Sequence, residues 1–391
     1  VRQIHKEKVT TMRGIIVGAG IGGLSTAIAM QMRDITVKVF EAATSLNPVG
    51  AGILVPPNAM TILDRYNLAQ QVQGGGCPIE SLVILDSEGK SISKTPAHYS
   101  KNGIVYQTIA IHRGALQKIL LSALAPDTVF TDKQCLAVSS GVHGAEATFR
   151  DSTKVYGEFL VGADGIHSRV RESIFPDSLL RYSGQTCWRG VSNIALPRKW
   201  LMQLTEVWGA GLRFGFVPIA DAQVYWYATQ REDAGGIDDS TNIKQQLFDL
   251  YGEFLDPVGE IISQTNPSSI IRNDLSDLMP LTSWFSNSVI LVGDAAHAST
   301  PNLGQGGAQA IEDSWVLAEK LATCETLQNA FESFQVSRVA KVKKIVNVSW
   351  QIGKATNISN KIACTIRNTL FRCVPPFMAK QQSRSIYDVS Y

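Results

Sequence analysis

Residues 14–23 read GIIVGAGIGG, and residues 37–41 read VKVFE. Gly14 to Val17 is a short apolar run of strand type. Gly18, Gly20 and Gly23 then give the spacing GxGxxG. From Leu24 to Met32 the Leu, Ala and Ile residues recur at helical spacing, and Val37 to Phe40 is a second strand that ends at Glu41. Strand, glycine turn, helix and strand make a βαβ unit. In such a unit each glycine has a separate task. Gly18 permits the tight turn, Gly20 lets the backbone approach a pyrophosphate, and Gly23 keeps helix and strand close. The start of the helix offers unpaired N–H groups and a positive dipole to phosphates. Glu41, at the end of the second strand, is placed to accept hydrogen bonds from both ribose hydroxyls. A carboxylate there repels a 2′-phosphate, which disfavours NADP at this turn and leaves NAD and FAD.

A second glycine-rich segment far downstream decides between them. The strand-like run Val289 to Val292 is followed by GDAAH (residues 293–297) and then by PNLGQGG (residues 301–307), which opens a helix. A simple NAD dehydrogenase has no use for a second helix start of this kind, whereas a flavin has. Asp294 can take the hydroxyls of a ribityl chain. Amides at the start of the helix that begins near Gly306 can point at the flavin edge that becomes anionic on reduction. The cofactor expected from the residues is FAD.

Around these motifs the chain of 391 residues suits two units that share a ligand. The expected class is α/β: a Rossmann-like FAD-binding domain with a mixed sheet, interleaved with a β-rich substrate domain and closed by C-terminal helices. The first part of the FAD-binding domain spans 12–80 and the second 110–179, with substrate-domain strands at 81–109 between them. The β-rich substrate domain proper spans 180–275. The third part of the FAD-binding domain follows at 276–330, and 331–391 is a C-terminal helical segment. Residues 1–11 are set aside as an extension or an upstream start.

A net charge of +2 gives no whole-chain argument for nucleic acid. The six cysteines are scattered, without CxxC or histidine partners at ligand spacing, so no metal is expected and the thiols suit the cytoplasm. No run of about eighteen apolar residues is present to span a membrane.

GAGIGG with Glu41, GADGIHSRVR (residues 162–171) and GDAAHASTPNLGQGGAQAIED (residues 293–313) together resemble the three fingerprints of the single-component flavoprotein aromatic hydroxylases, the group typified by p-hydroxybenzoate hydroxylase. The ending AQAIED is closer to the salicylate, 3-hydroxybenzoate and urate hydroxylase branch. The resemblance implies that Gly22, Glu41 and Ala42 contact the adenosine side. It implies that Arg113 stands beside the FAD and that Asp164 and Gly165 serve FAD and the nicotinamide nucleotide, with Arg169 inside the same motif. It places Asp294 and, after Pro301, the backbone of Gly304, Gln305, Gly306, Gly307 and Ala308 at the ribityl chain and the flavin, and the segment Gly50-Ala51-Gly52-Ile53 along the isoalloxazine. The implied reaction is hydroxylation of a small or medium aromatic or heteroaromatic ring through a flavin C4a-hydroperoxide. NAD(P)H, as a transient reductant, and O2 are consumed. The alternatives are a reductase or dehydrogenase of the same fold, or an antibiotic-modifying flavin monooxygenase. The halogenase stretch WxWxIP and the Baeyer–Villiger signature FxGxxxHxxxWP are both missing.

Arg213 and Tyr225 are the expected substrate residues, the arginine holding an anionic group and the tyrosine polarising a ring oxygen. In urate-hydroxylating relatives an asparagine that touches substrate stands before the Trp188-Arg189 position. Here it is Cys187, which argues against urate. His167 and His297 lie inside the cofactor motifs and are read as supporting residues, not as chemistry. Between Arg338 and Arg384 there are ten lysines and arginines and no aspartate or glutamate. Such a basic, partly apolar tail is compatible with peripheral contact with a membrane, although a solvated helix flank closing the FAD domain is the commoner outcome. A monomer or a homodimer is expected.

Overall fold

The computed structural model describes residues 13–46, 51–141, 143–239 and 241–390. Gly50 and the extension 1–11 therefore lie outside the described residues.

The expected βαβ unit is present as strand Arg13–Val17, helix Ile21–Gln31 and strand Thr36–Phe40. It forms part of a six-stranded sheet whose order is 285–286, 289–291, 159–162, 13–17, 36–40 and 129–130. Five of these strands run parallel, with Phe285–Ser286 antiparallel at one edge. Ile15 pairs with Leu160 on one side and with Lys38 on the other. Parallel strands covered on both faces must be apolar throughout, and Phe159–Gly162 and Val289–Leu291 are buried at every position. Because the strands are parallel, their carboxyl ends share one edge. Gly18, Glu41, Ala163 and Val292 leave the sheet together there, although they come from distant parts of the chain.

A seven-stranded sheet has the order 271–278, 180–192, 223–231, 212–220, 203–208, 81–86 and 91–96. Side chains alternate between its two faces. Trp188, Phe214, Phe216 and Trp226 point to one face, where helices Ile243–Tyr251 and Val258–Gln264 cover them with Leu247, Tyr251, Ile261 and Ile262. These two helices interrupt the segment that reads as β-rich. The cross-strand pairs Glu206–Gly215, Gly215–Tyr227 and Tyr227–Arg189, with Arg213–Thr229 and Val217–Tyr225, define the opposite face.

Strands from 81–109 divide between two sheets. Ser81–Asp86 and Ser91–Pro96 join the seven-stranded sheet, whereas Ile104–His112 pairs with Gly52–Val55, Gly76–Ile79 and His98–Lys101. Helix Leu327–Thr356 then packs along helix Gly306–Thr323, and helices Lys361–Arg372 and Pro376–Tyr387 end the chain. Among the described residues no helix is long and apolar enough to cross a membrane.

Candidate cofactor cleft and the sheet face beside it

A cleft of about 640 Å³ runs along the carboxyl edge of the six-stranded sheet. Gly18, Gly20, Gly22, Glu41, Ala42, Ile53, Arg113, Asp164, Gly165, Asp294, Gly306 and Gly307 all line it. The volume suits a large organic ligand, and the carboxyl edge of an open α/β sheet is where such ligands sit.

The backbone at one end leaves no freedom. Gly18 has φ +102°, and a Cβ there would lie 2.5 Å from the Ala163 carbonyl oxygen. A Cβ on Gly23 would lie 1.9 Å from the Gly18 oxygen, so this glycine locks the helix against the turn. Gly20 differs: a Cβ on it would meet nothing within 4 Å. Its open side is the cleft, as required for close approach by a phosphate. Glu41 accepts from the Ala19 amide (2.7 Å) and the Ala43 amide (2.9 Å), so its carboxylate is held in place while it lines the cleft.

Asp294 stands at the other end. Its side chain has no hydrogen-bond partner in the described protein, and the open cleft exposes it. Burial among protein groups on its other sides raises its carboxyl pKa, with His297 and Arg113 acting in the opposite sense. The turn that carries it is held from behind. Asp313 accepts from the Gly293 amide (2.9 Å) and contacts His297 Nε2 (2.7 Å). Helix Gly306–Thr323 begins beside Asp294 without a side-chain cap, so its first amides are free to meet a ligand. Gly304 has φ +60°, a left-handed conformation that suits glycine.

Asp164 is engaged within the protein. It accepts from Ser168 Oγ (2.5 Å), the Arg169 amide (2.8 Å) and the Val170 amide (3.1 Å), thereby capping the short helix that follows. Burial raises its pKa against these bonds. Gly165, at φ +80° with nothing near its missing side chain, lines the cleft together with Asp164, His167 and Arg169 of the same turn.

Six expected residues support the lining without belonging to it. Gly23 packs as described. Gly52 touches Tyr225, whose ring a Cβ would approach to 2.4 Å. Gln305 is buried and accepts from Asn58 (3.0 Å) and Gln309 (3.0 Å). Pro301 opens a 3₁₀ turn, Gly304 closes it, and Ala308 is buried in the helix.

Some residues escaped the sequence reading. Lys133, Gln134 and Cys135 line the cleft near Glu41, and the Lys133 amide donates to the Glu41 carbonyl (2.8 Å). Burial pushes the Cys135 thiol up to about 11, which leaves it protonated and inert. Beneath helix Gly306–Thr323, Arg338 donates to Asp313 (2.8 Å), Glu312 (2.7 Å) and Gln309 (2.7 Å), all fully buried. Two adjacent acids between the apolar positions Ile311 and Val316 of this helix were the available signal.

Arg213 and Tyr225 lie on the face of the seven-stranded sheet opposite its helix-covered core. Arg213 is 1% exposed and donates to Asn302 Oδ1 (2.7 Å), in the turn that precedes helix Gly306–Thr323. Its Nε and one terminal nitrogen make no hydrogen bond. Glu206 lies 3.7 Å from it and accepts from Trp208 (2.8 Å) and from the Tyr227 hydroxyl. Burial pushes the Tyr225 hydroxyl up to about 12, although Arg189 beside it acts to lower it. Tyr225 therefore stays protonated at neutral pH. His297 supports the Gly293 turn, and His167 lines the cleft.

A family model described as "FAD binding domain" matches residues 11–349. An aurachin C monooxygenase/isomerase of Stigmatella aurantiaca is 35% identical over 365 residues, covering 93% of this chain and 94% of that relative. A 2-heptyl-3-hydroxy-4(1H)-quinolone synthase of Pseudomonas aeruginosa is 33% identical over 368 residues, covering 93% and 94%. Among solved structures, Klebsiella pneumoniae HpxO complexed with FAD and uric acid superposes with a TM-score of 0.85. The two share 23% identity over 96% of each chain, a likeness of fold.

Proposed function

The chain belongs to the FAD-binding-domain family, and on that premise we propose the following account of how it works as an FAD-dependent aromatic monooxygenase. The observation that carries the account is one continuous cleft with a glycine-bounded helix start at each end, Gly20 open at one and Asp294 unpartnered at the other. The Gly20 and Gly22 backbone would hold the pyrophosphate and Glu41 the adenosine ribose, with Ala42 alongside. Asp294 would take the ribityl hydroxyls, and the amides of Gly306, Gly307 and Ala308 the electron-rich edge of the flavin ring. Gly52 and Ile53 would lie along that ring, with Arg113 nearby. When bound, FAD supplies the activation of O2, with electrons from NAD(P)H.

The protein's share of the work is to position the ring and to exclude water. The polar face with Arg213, Tyr225, Arg189 and Glu206 would be the floor on which a heteroaromatic substrate rests. Tyr225, protonated, would donate to a ring oxygen, and the spare nitrogens of Arg213 would meet an electron-rich edge. The relative named as a 2-heptyl-3-hydroxy-4(1H)-quinolone synthase supports an alkyl-bearing quinolone-like ring as the substrate class. We take the six-stranded and seven-stranded sheets as the two interleaved domains, the protein as cytoplasmic with its six cysteines free, its assembly as a monomer or homodimer, and its C-terminal helices as its peripheral membrane contact.

Asp294→Ala tests the cofactor placement. Loss of a buried hydrogen-bond acceptor should weaken FAD binding by about 1–3 kcal/mol, roughly 5- to 150-fold in affinity, with the fold intact. Unchanged affinity in a flavin-fluorescence titration would refute the placement. Substrate-stimulated O2 uptake with a hydroxylated product supports the reaction. Stoichiometric anaerobic reduction of a substrate double bond would sink it.

A further inference from the structure

Helix Lys361–Arg372 is amphipathic the wrong way round for a helix in water. Its outer face carries Ile362 (74% exposed), Ile366 (57%) and Leu370 (65%), one turn apart. The same apolar character continues through Val374, Phe377 and Met378 at the start of the next helix, all exposed. The polar residues Arg367 and Asn368 are buried beneath it. Arg367 lies over the Trp208 ring at 5.1 Å and donates to the Ala355 carbonyl, and Phe371 meets Trp208 edge-on at 5.2 Å. An orientation that buries an arginine and exposes a leucine stripe implies something outside the protein to cover the stripe.

We propose that this face docks on an anionic lipid bilayer. A stripe of branched apolar side chains flanked by cations is the chemistry of a helix lying in a membrane interface. Arg372 at the end of the helix is paired with Asp86 (2.7 Å), but Lys343, Lys344, Lys354, Lys361 and Arg384 are exposed and the sequence from Arg338 to Arg384 holds no acid. That charge attracts anionic headgroups. It also opposes the other simple occupant, a second copy of the chain, because two such faces would bring like charges together. The inner side of the helix abuts Trp208, which pairs across strands with Arg213 on the sheet face. Docking would set that end of the sheet against the bilayer, where a ring with an alkyl tail would partition. This last link rests on the monooxygenase reading, but the docking itself does not.

The test is flotation of the FAD-loaded full chain with vesicles of phosphatidylcholine alone and of phosphatidylcholine mixed with phosphatidylglycerol. Binding should favour the mixed vesicles and weaken as salt is raised. The pair Ile366→Asp and Leu370→Asp should lower binding at least roughly tenfold, while flavin content and turnover of a water-soluble ring are retained. The proposal is overturned if the unaltered chain binds neither vesicle or if the double variant binds as well as it does. It is equally overturned if sedimentation shows a dimer that the double variant abolishes while vesicles go unbound. Failure of turnover with vesicle binding intact would instead count against the monooxygenase reading alone.

Discussion

The candidate cofactor cleft and the polar face of the seven-stranded sheet are adjacent, with Gly52 against Tyr225 and Asn302 bonded to Arg213, yet they are made of different material. The cleft is made largely of backbone. What it offers are amides at two helix starts, glycines with no room for a side chain and two placed carboxylates, Glu41 and Asp294. The sheet face is made of side chains, with Arg189, Glu206, Arg213, Tyr225 and Tyr227 standing at alternate positions on four strands. Backbone positions cannot be changed without moving the chain, whereas side chains on a sheet can be exchanged while the sheet persists. One region should therefore fail abruptly on substitution and the other by degrees.

Gly23→Ala is the most severe test of that contrast. The added methyl would sit 1.9 Å from the Gly18 carbonyl oxygen, which is backbone in the turn that must also meet the ligand. Overpacking of this kind should cost at least about 3 kcal/mol and abolish recovery of flavin-loaded protein. Thermal unfolding and flavin content measure it. A variant that keeps both would show the cleft to be as tolerant as the sheet.

Arg338→Met comes next, because it removes support from behind the cleft without entering it. Removing Arg338 takes one cation from this buried network, while Glu312 keeps Lys341 and Asn58 and Asp313 keeps His297 and the Gly293 amide, so the cost should be about 3 kcal/mol, the low end for a broken buried pair. Burial opposes ionisation of Asp313, but His297, Arg338 and the Gly293 amide outweigh it and hold the carboxyl well below its ordinary range. A depressed carboxyl adds stability that is present above the unfolded-state value of about 4 and is lost as pH falls through the folded value. Without Arg338 the folded value rises, so acid unfolding should begin at a higher pH than in the unaltered protein. A coincident acid transition in the two proteins would count against this network as the support of the Gly293 turn.

The same contrast explains what could be read in advance. Gly18, Gly20, Glu41, Asp294 and Gly306 were legible because a backbone site needs particular residues at fixed spacing within one strand–turn–helix unit. The edge strand and loop carrying Lys133 to Cys135 have no such spacing, so their place beside Glu41 came only from the fold. Asp164 was legible as important, and it lines the cleft beside Gly165, yet its hydrogen bonds within the protein go to Ser168, Arg169 and Val170. The helices at 243–251 and 258–264 were hidden among strands because their apolar positions serve the same core as the strand residues. The partner of Arg213 was out of reach, since Asn302 lies 89 residues away in another motif.

Tyr225→Phe should give the smallest effect and the sharpest one. The substitution removes one oxygen from the sheet face and leaves its ring against Gly52, so FAD content and thermal stability should hold. Loss of a single neutral hydrogen bond to substrate is worth about 1 kcal/mol, which predicts a rise in KM of roughly fivefold. Because burial holds the hydroxyl up to about 12, it stays protonated through neutral pH and is given up only as pH climbs towards that value. The KM difference between variant and parent should therefore be flat from pH 6 to 9, to within about twofold. A difference that grows or vanishes within that range would assign the titration to another group and remove Tyr225 from the floor. A loss of FAD would instead mean that the side-chain surface and the backbone cleft are one site, and that they do not fail separately.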